Sequence, residues 1–298
     1  MLKPGTLWER VKSKTEYARQ CGALRSISTD YELIEQNGIR FLVRIVTNII
    51  RKEKAKQKQQ QAAESGKEYD PFLPYEEDLF VADLSETHFC LLNKFNVVDH
   101  HLLVVTRAFE EQDNLLTLPD FVALWRCLVE INGLGFYNGG ERAGASQRHK
   151  HLQLVPFPLI PDGTSLPIAD LLETADFNHN IGTVPNLPFQ HALMRLNWQT
   201  ETPAEIMAQQ SLEAYHQLLN TLNIQGKQGL TGQQTHPYNL LITREWMLVV
   251  PRSQHAYETI QINSMGIGGA MLVRNQEQLE HLKKLSPLQV LIGVTIEK

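Results

Sequence analysis

The chain has 298 residues, with 28 Lys+Arg against 33 Asp+Glu, and its net charge of −5 argues against a broad nucleic-acid-binding face while leaving room for a small basic pocket. A 42% hydrophobic content is enough at this length to build a full core without disulfide or metal staples. No apolar run is long enough for a membrane span, Met1-Leu2-Lys3-Pro4-Gly5 lacks a secretory core, and Cys21, Cys90 and Cys127 are scattered without a CxxC pair, so a cytoplasmic protein with reduced thiols is expected.

Thr6-Leu7-Trp8-Glu9 has the Thr-x-x-Glu spacing of a capped helix start, and Leu7, Val11 and Ala18 follow at loosely helical intervals. The stretch 39–50, dense in Val, Ile and Phe, reads as a strand beside the turn Asn37-Gly38. Residues 51–61 then carry five cations, one acid and no large apolar side chain, the composition of a solvated loop or of a basic flap over an anionic ligand. From Pro71 short apolar runs at 79–84, 88–92 and 101–106 predict strands, the last two flanking the turn-like Asn93-Lys94-Phe95-Asn96.

Residues 118–130 predict a helix with Pro119 in the first turn and Phe121, Leu124, Trp125, Leu128 and Val129 on one face. A strand around 134–137 leads into a loop of small residues at 138–147, then a strand at 148–156. After a Pro-, Asp- and Gly-rich connection, a helix is expected over 203–222, capped by Thr202 with Glu205 three residues on. A hairpin of 238–243 and 246–250 and a strand at 270–273 complete the pattern. Strands and helices do not alternate regularly, which predicts an α+β fold with a mainly antiparallel sheet.

The densest polar cluster in a strand context is Ser146-Gln147-Arg148-His149-Lys150-His151-Leu152-Gln153. Alternation places His149, His151 and Gln153 on one face and Lys150, Leu152 and Leu154 on the other. Two imidazoles and an amide on such a face are costly unless they have partners or a task. They fit satisfied structural histidines, two ligands of a metal site that would need further donors from elsewhere, or a nucleophilic centre. In the third case an imidazole, largely uncharged at neutral pH, attacks phosphorus, and the Gln153 amide donates to the phosphate oxygens without repelling them.

The run from Asn138-Gly139-Gly140 through Gly144-Ala145-Ser146-Gln147-Arg148-His149-Lys150-His151-Leu152-Gln153 resembles the ATP adenylyltransferase (diadenosine tetraphosphate phosphorylase) family, the nucleotidyltransferase branch of the histidine-triad superfamily. The resemblance continues through Asn93–Asn96, 101–106, Tyr238-Asn239-Leu240-Leu241, 246–252 and 263–274, in order. It implies a histidine-triad, uridylyltransferase-like α+β fold, mainly antiparallel sheet with flanking helices. Residues 1–186 would form the catalytic half, and 187–298 would complete the same fold and the nucleotide site. The implied reaction is reversible phosphorolysis of diadenosine tetraphosphate by inorganic phosphate to ATP and ADP through an adenylyl-histidine.

On that resemblance His151 is the nucleophile, Gln153 holds the α-phosphate, and His149 braces the site and helps expel the leaving group. Lys54, Asn93, Lys94, Asn138, Gly144, Ala145, Ser146, Gln147, Asn263, Ser264, Met265 and Arg274 would contact substrate. Arg274 and Ala270 stand where similar enzymes usually have Lys and often Met. Mg²⁺ or another divalent cation would arrive with the polyphosphate. His191 and His236 are assigned to supporting or core positions. Hexose-1-phosphate nucleotidylyltransferases share the His-x-His-x-Gln logic, but Lys150 replaces their usual Pro, and their zinc cysteines have no counterpart here. A non-catalytic nucleotide sensor is the alternative from a different class, with intact His151 and Gln153 against it.

Overall fold

Helix α1 (Leu7–Gln20) begins the fold in a computed structural model that describes residues 3–47, 70–199 and 201–298. The expected Thr6 cap does not form, because the Thr6 hydroxyl donates to the Lys3 carbonyl. The Glu130 carboxylate accepts the Gly5 and Leu7 amides instead, at 2.8 and 2.6 Å, and ties the start of α1 to a residue 123 positions beyond Leu7. Strands β1 (Thr29–Gln36) and β2 (Ile39–Val46) form a hairpin whose turn residues, Asn37 and Gly38, have φ of 50° and 78°. Positive φ at both positions is the two-residue turn that matches strand twist. The predicted strand thus holds to Val46; its end at 48–50 and the basic run 51–61 lie outside the described residues.

The main sheet takes β3 (Phe80–Asp83), β4 (His88–Leu92), β5 (Leu102–Thr106), β6 (Gly133–Gly139), β7 (His151–Pro156), β8 (Asp176–Asn178), β9 (Ile181–Thr183), β10 (Ala192–Arg195), β11 (Tyr238–Ile242) and β12 (Trp246–Pro251). Their order is β3-β4-β5-β7-β6-β11-β12-β10-β9-β8, with antiparallel neighbours throughout. The pairing of β6 with β11, Asn138 opposite Asn239, carries this one sheet across from the first half of the chain to the second. Beyond it come the short pair β13 (Ala256–Tyr257) and β14 (Ile260–Gln261), and β15 (Ala270–Val273), which lies parallel to β2 in a separate three-stranded sheet.

The core is layered by the period of the strands. Leu152, Leu154, Leu240 and Val249 join the cluster built with α1, α2 (Leu118–Leu128) and a later helix containing Tyr215 and Leu218. Phe136, Val155, Leu241 and Leu248 face the opposite cluster, which includes β2 and the C-terminal helices. A smaller cluster of Phe72, Phe89, Leu91, Leu103 and Val105 covers the sheet beside His151 and Gln153.

The remaining helices are α3 (Ala169–Leu172), α4 (Ala204–Thr221), α5 (Ser264–Ile267), α6 (Gln276–Leu285) and α7 (Pro287–Val294). Helix α4 matches the expected span, but the Thr202 hydroxyl donates to the Gln199 carbonyl and Pro203 occupies the cap position. The expected strand at 148–156 starts at His151, and His149 makes only an isolated bridge to Glu111. Among the described residues no helix is long and apolar enough to cross a membrane.

Candidate active site

His151 opens β7, whose antiparallel pairing with β5 begins at Val105↔His151 and whose pairing with β6 stops at Phe136↔Gln153. Where the latter two strands part, the Gln112 amide takes over. It accepts the His151 N–H at 2.8 Å and donates to the carbonyls of Asn138 and His151 at 2.9 and 3.2 Å. The His151 ring donates from Nδ1 to the His149 carbonyl at 2.8 Å. That bond fixes the tautomer and leaves Nε2 as an unprotonated nitrogen without a protein partner among the described residues. Burial pushes the ring to a pKa of about 4, against the opposing bond to the His149 carbonyl. The result is an uncharged imidazole with one lone pair available.

His149 is held differently. Its Nδ1 lies 2.7 Å from the Asp70 carboxylate, and its Nε2 lies 2.8 Å from the Thr106 carbonyl and 2.9 Å from the Thr106 hydroxyl. With both ring nitrogens engaged, it has no lone pair for a metal and no free N–H for a leaving group, and it acts as a brace whose carbonyl orients His151. Phe72, which follows Asp70 closely, packs its ring against both imidazoles at 5.7 and 5.1 Å.

Between the histidines, Lys150 points to the other face, as alternation predicts. It is fully buried, and its Nζ donates to Asp120 at 2.8 Å, to the Leu115 carbonyl at 3.1 Å and to Glu110 at 3.2 Å. Three N–H groups meet three acceptors, so the buried charge is satisfied. Asp120 also accepts from the Thr117 amide, at 2.7 Å, as it caps α2, and it meets His88 Nε2 at 3.1 Å.

The Asn138 side chain is buried; its oxygen accepts from Asn239 Nδ2 at 3.0 Å and from the Ser264 amide and hydroxyl at 2.9 and 2.8 Å. Its amide nitrogen has no protein partner among the described residues. Ser264 is thereby a tie between the halves, buried and committed to Asn138 and the Tyr137 carbonyl, with no group left over for a ligand. Asn263 caps α5 by accepting the Gly266 amide. Gly144, at φ 91°, lets the 138–147 loop lie on this segment: a Cβ there would sit 2.7 Å from the Ile262 carbonyl and 2.9 Å from Asn263 Cα. Ser146 is exposed, Ala145 and Gln147 half-buried.

Other expected contacts are scattered. Asn93 bonds the His101 ring, Lys94 pairs with Glu76, and Met265 packs in the apolar layer. Arg274 is exposed at the end of β15, where its amide donates to Gln278, and no contact joins it to the histidine strand. Lys54 lies outside the described residues. His191 is a satisfied core histidine, bonded to the Phe189 carbonyl and the Val184 amide at 2.8 Å each, whereas His236 is exposed beside Thr235. Asp70 and Gln112 support the histidine strand although sequence reasoning did not name them, and His101 and Asn239 were named only inside longer matching segments, without a role. His101 also carried a signal of its own: a polar residue entering a strand of otherwise apolar residues, next to the 93–96 turn.

A buried, single-tautomer histidine two residues before a glutamine thus lies on an antiparallel sheet to which both halves of the chain contribute, an arrangement suited to nucleotidyl transfer. The family model for the Ap4A phosphorylase N-terminal domain matches residues 1–174, and that for the ATP adenylyltransferase C-terminal domain matches residues 185–297. The chain therefore belongs to the Ap4A phosphorylase/ATP adenylyltransferase family, and is a nucleotidyltransferase of α+β fold with a large antiparallel sheet. It is 32% identical to diadenosine 5′,5′′′-P1,P4-tetraphosphate phosphorylase 2 of Saccharomyces cerevisiae over 237 residues, covering 72% of this chain and 71% of the relative. Protein APA1 of the same yeast is 29% identical over 235 residues, 70% of each chain. The crystal structure of yeast Ap4A phosphorylase Apa2 superposes with a TM-score of 0.78 at 25% identity, covering 100% of this chain and 99% of the other. A complex of that yeast enzyme with AMP gives 0.77 at 25% identity with the same coverage.

Proposed function

We propose that the protein splits diadenosine tetraphosphate with inorganic phosphate, giving ATP and ADP, and runs the reaction in reverse when products accumulate. The observation that carries this reading is the His151 ring, held by the His149 carbonyl with a free Nε2 two residues from Gln153. Nε2 attacks the α-phosphorus, the bond to the α–β bridging oxygen breaks, and ATP leaves. The Nδ1 proton stays in place, so the adenylylated ring is cationic and the His149 carbonyl stabilises that charge. Phosphate then attacks the same phosphorus, the P–N bond breaks, ADP forms, and His151 returns to its starting state. Gln153 donates to the phosphate oxygens, and Asn138 offers its free amide N–H groups.

The groups that serve the phosphates are amide donors, and no cluster of three or more His, Cys, Asp or Glu poised for a metal occurs among the described residues. Mg²⁺ is assigned to the polyphosphate from the chemistry of that substrate, and is counted with it. Residues 1–186 serve as the catalytic half and 187–298 as the half that completes the sheet, supported by the β6–β11 pairing. Lys54 is assigned to the phosphates from its sequence context, and deletion of residues 52–60 should raise the substrate KM. The free cysteines Cys21, Cys90 and Cys127 support a reducing, cytoplasmic setting.

The test is intact-protein mass after mixing with diadenosine tetraphosphate and Mg²⁺, followed by a phosphate chase. An acid-labile AMP adduct on His151 that discharges as ADP is expected. His151→Ala should abolish turnover while keeping nucleotide affinity within about tenfold. Release of AMP to water without an adduct would replace this reading with a hydrolase, and tight binding without product would replace it with a sensor.

A further inference from the structure

The role of Gln153 depends on which end of its amide faces the substrate, and the hydrogen bonds around it decide that end in four steps. The Phe95 backbone N–H, which can only donate, lies 3.2 Å from Asn93 Oδ1. That places the Asn93 NH₂ group toward His101, where Nδ2 meets the ring Nδ1 at 3.3 Å. An N–H donor on Nδ1 requires that nitrogen to be the bare acceptor, so a neutral His101 carries its proton on Nε2. Nε2 lies 2.9 Å from Gln153 Oε1, the acceptor end of the amide. The Gln153 NH₂ is thereby turned away from His101 and has no protein partner among the described residues.

We infer that His101 is a positioning residue that locks the Gln153 amide in the one orientation able to donate to the reacting phosphate. This inference rests on the reading of His151 and Gln153 given above. An amide free to rotate would offer the phosphate its oxygen for part of the time, which repels; the relay removes that state before substrate arrives. The setting suits the task. His101 is buried at the entrance to β5, its ring tilted against Phe136 at 5.9 Å, and its carbonyl accepts the Asn93 amide at 2.8 Å. Burial brings its pKa down to about 4, against the opposing Gln153 bond, so it keeps the neutral tautomer. Register does the rest: Leu103 stands opposite Gln153, so the start of β5 and the middle of β7 lie side by side.

The test is a double-mutant cycle read in single-turnover formation of the AMP adduct, with each variant checked for folding by thermal melting. His101→Leu is expected to slow adduct formation about 10- to 100-fold with substrate Kd nearly unchanged. His101→Gln, which keeps an N–H donor near the Nε2 position, should restore most of the rate. In a Gln153→Ala background His101→Leu should cost less than about threefold, because the group it positions is gone. Equal losses in both backgrounds would overturn the inference while leaving the adduct on His151 intact. No adduct in the unmodified enzyme would instead remove the functional reading. Should His101→Leu fail to fold, or no adduct form, ¹⁵N spectra of histidine-labelled protein decide the point. A bare Nδ1 and protonated Nε2, assigned by their loss in His101→Gln, support the relay, and a protonated Nδ1 overturns it.

Discussion

Lys150 and Asp120 form an ion pair of 2.8 Å sealed from solvent, with side-chain exposures of 0% and 1%, directly behind the strand that carries His151. The lysine between the two histidines thus anchors β7 to the first turn of α2. Burial alone would raise the Asp120 pKa, but the Lys150 charge and the bonds from His88 and Lys150 outweigh it and hold the carboxyl well below the usual range. Asp120→Asn leaves Lys150 with only Glu110 as counter-ion, Lys150→Met leaves Asp120 with the His88 ring and the Thr117 amide, and either should cost about 3 kcal/mol of folding stability. Urea unfolding measures this; a loss under about 1 kcal/mol would show that the pair contributes little.

Stability should also fall in acid before Asp120 titrates. Burial lowers the pKa values of His101, His151 and His191 to about 4, against about 6.5 in an unfolded chain. The unfolded state therefore binds more protons between those values, and stability present at neutral pH is lost as pH drops through that window. Each histidine contributes a slope of up to about 1.4 kcal/mol per pH unit there. The Asp120 contribution, present above the unfolded carboxylate value near 4, is lost at still lower pH. Unfolding free energies at pH 7, 6 and 5 check the first slope, and a flat series would contradict it.

The same depressed value bears on catalysis. His151 stays unprotonated down to a pKa of about 4. Adduct formation should accordingly be flat from neutral pH to about 5, rather than declining about the ordinary histidine value near 6.5. Quenched-flow rates in saturating substrate, with the substrate's own titration measured separately, distinguish the two profiles.

Asn138→Asp separates architecture from binding. The carboxylate keeps the oxygen that accepts from Asn239 and Ser264, so the fold should persist. It also replaces a free donor with negative charge, so the KM for the polyphosphate should rise at least about tenfold. An unchanged KM would assign Asn138 to structure alone.

Gly144→Ala places a methyl group 2.7 Å from the Ile262 carbonyl at a backbone φ of 91°. The 138–147 loop must shift away from Asn263, with a stability cost of about 1–3 kcal/mol and a larger loss of substrate affinity than at Gly163, where a Cβ meets nothing within 4 Å. Parallel melts and KM values for the two variants test the contrast.

Much of this protein is written locally. The two-residue period of 148–156 put His151 and Gln153 on one face and Lys150 on the other, and alternation of backbone direction needs no distant partner to hold. The strand after Asn37-Gly38 and helices α2 and α4 were legible for the same reason, since turn chemistry and apolar spacing act over a few residues, whereas the hairpin partner β1, half-exposed and rich in acids, was not read. Caps at Thr6 and Thr202 were read and did not form, because Glu130 and Pro203 supplied alternatives that a short motif cannot weigh. What only the tertiary structure decided is the state of each candidate group. Asp70 reaches His149 across 79 positions, His101 reaches Gln153 across 52, and Ser264 reaches Asn138 across 126. A hydrogen bond is selected by distance and direction in space, and a proton's place on a ring follows from which acceptors the fold brings to it. The sequence by itself determined which side chains are present and which way the strand turns them; the fold determined which nitrogen is left free to react.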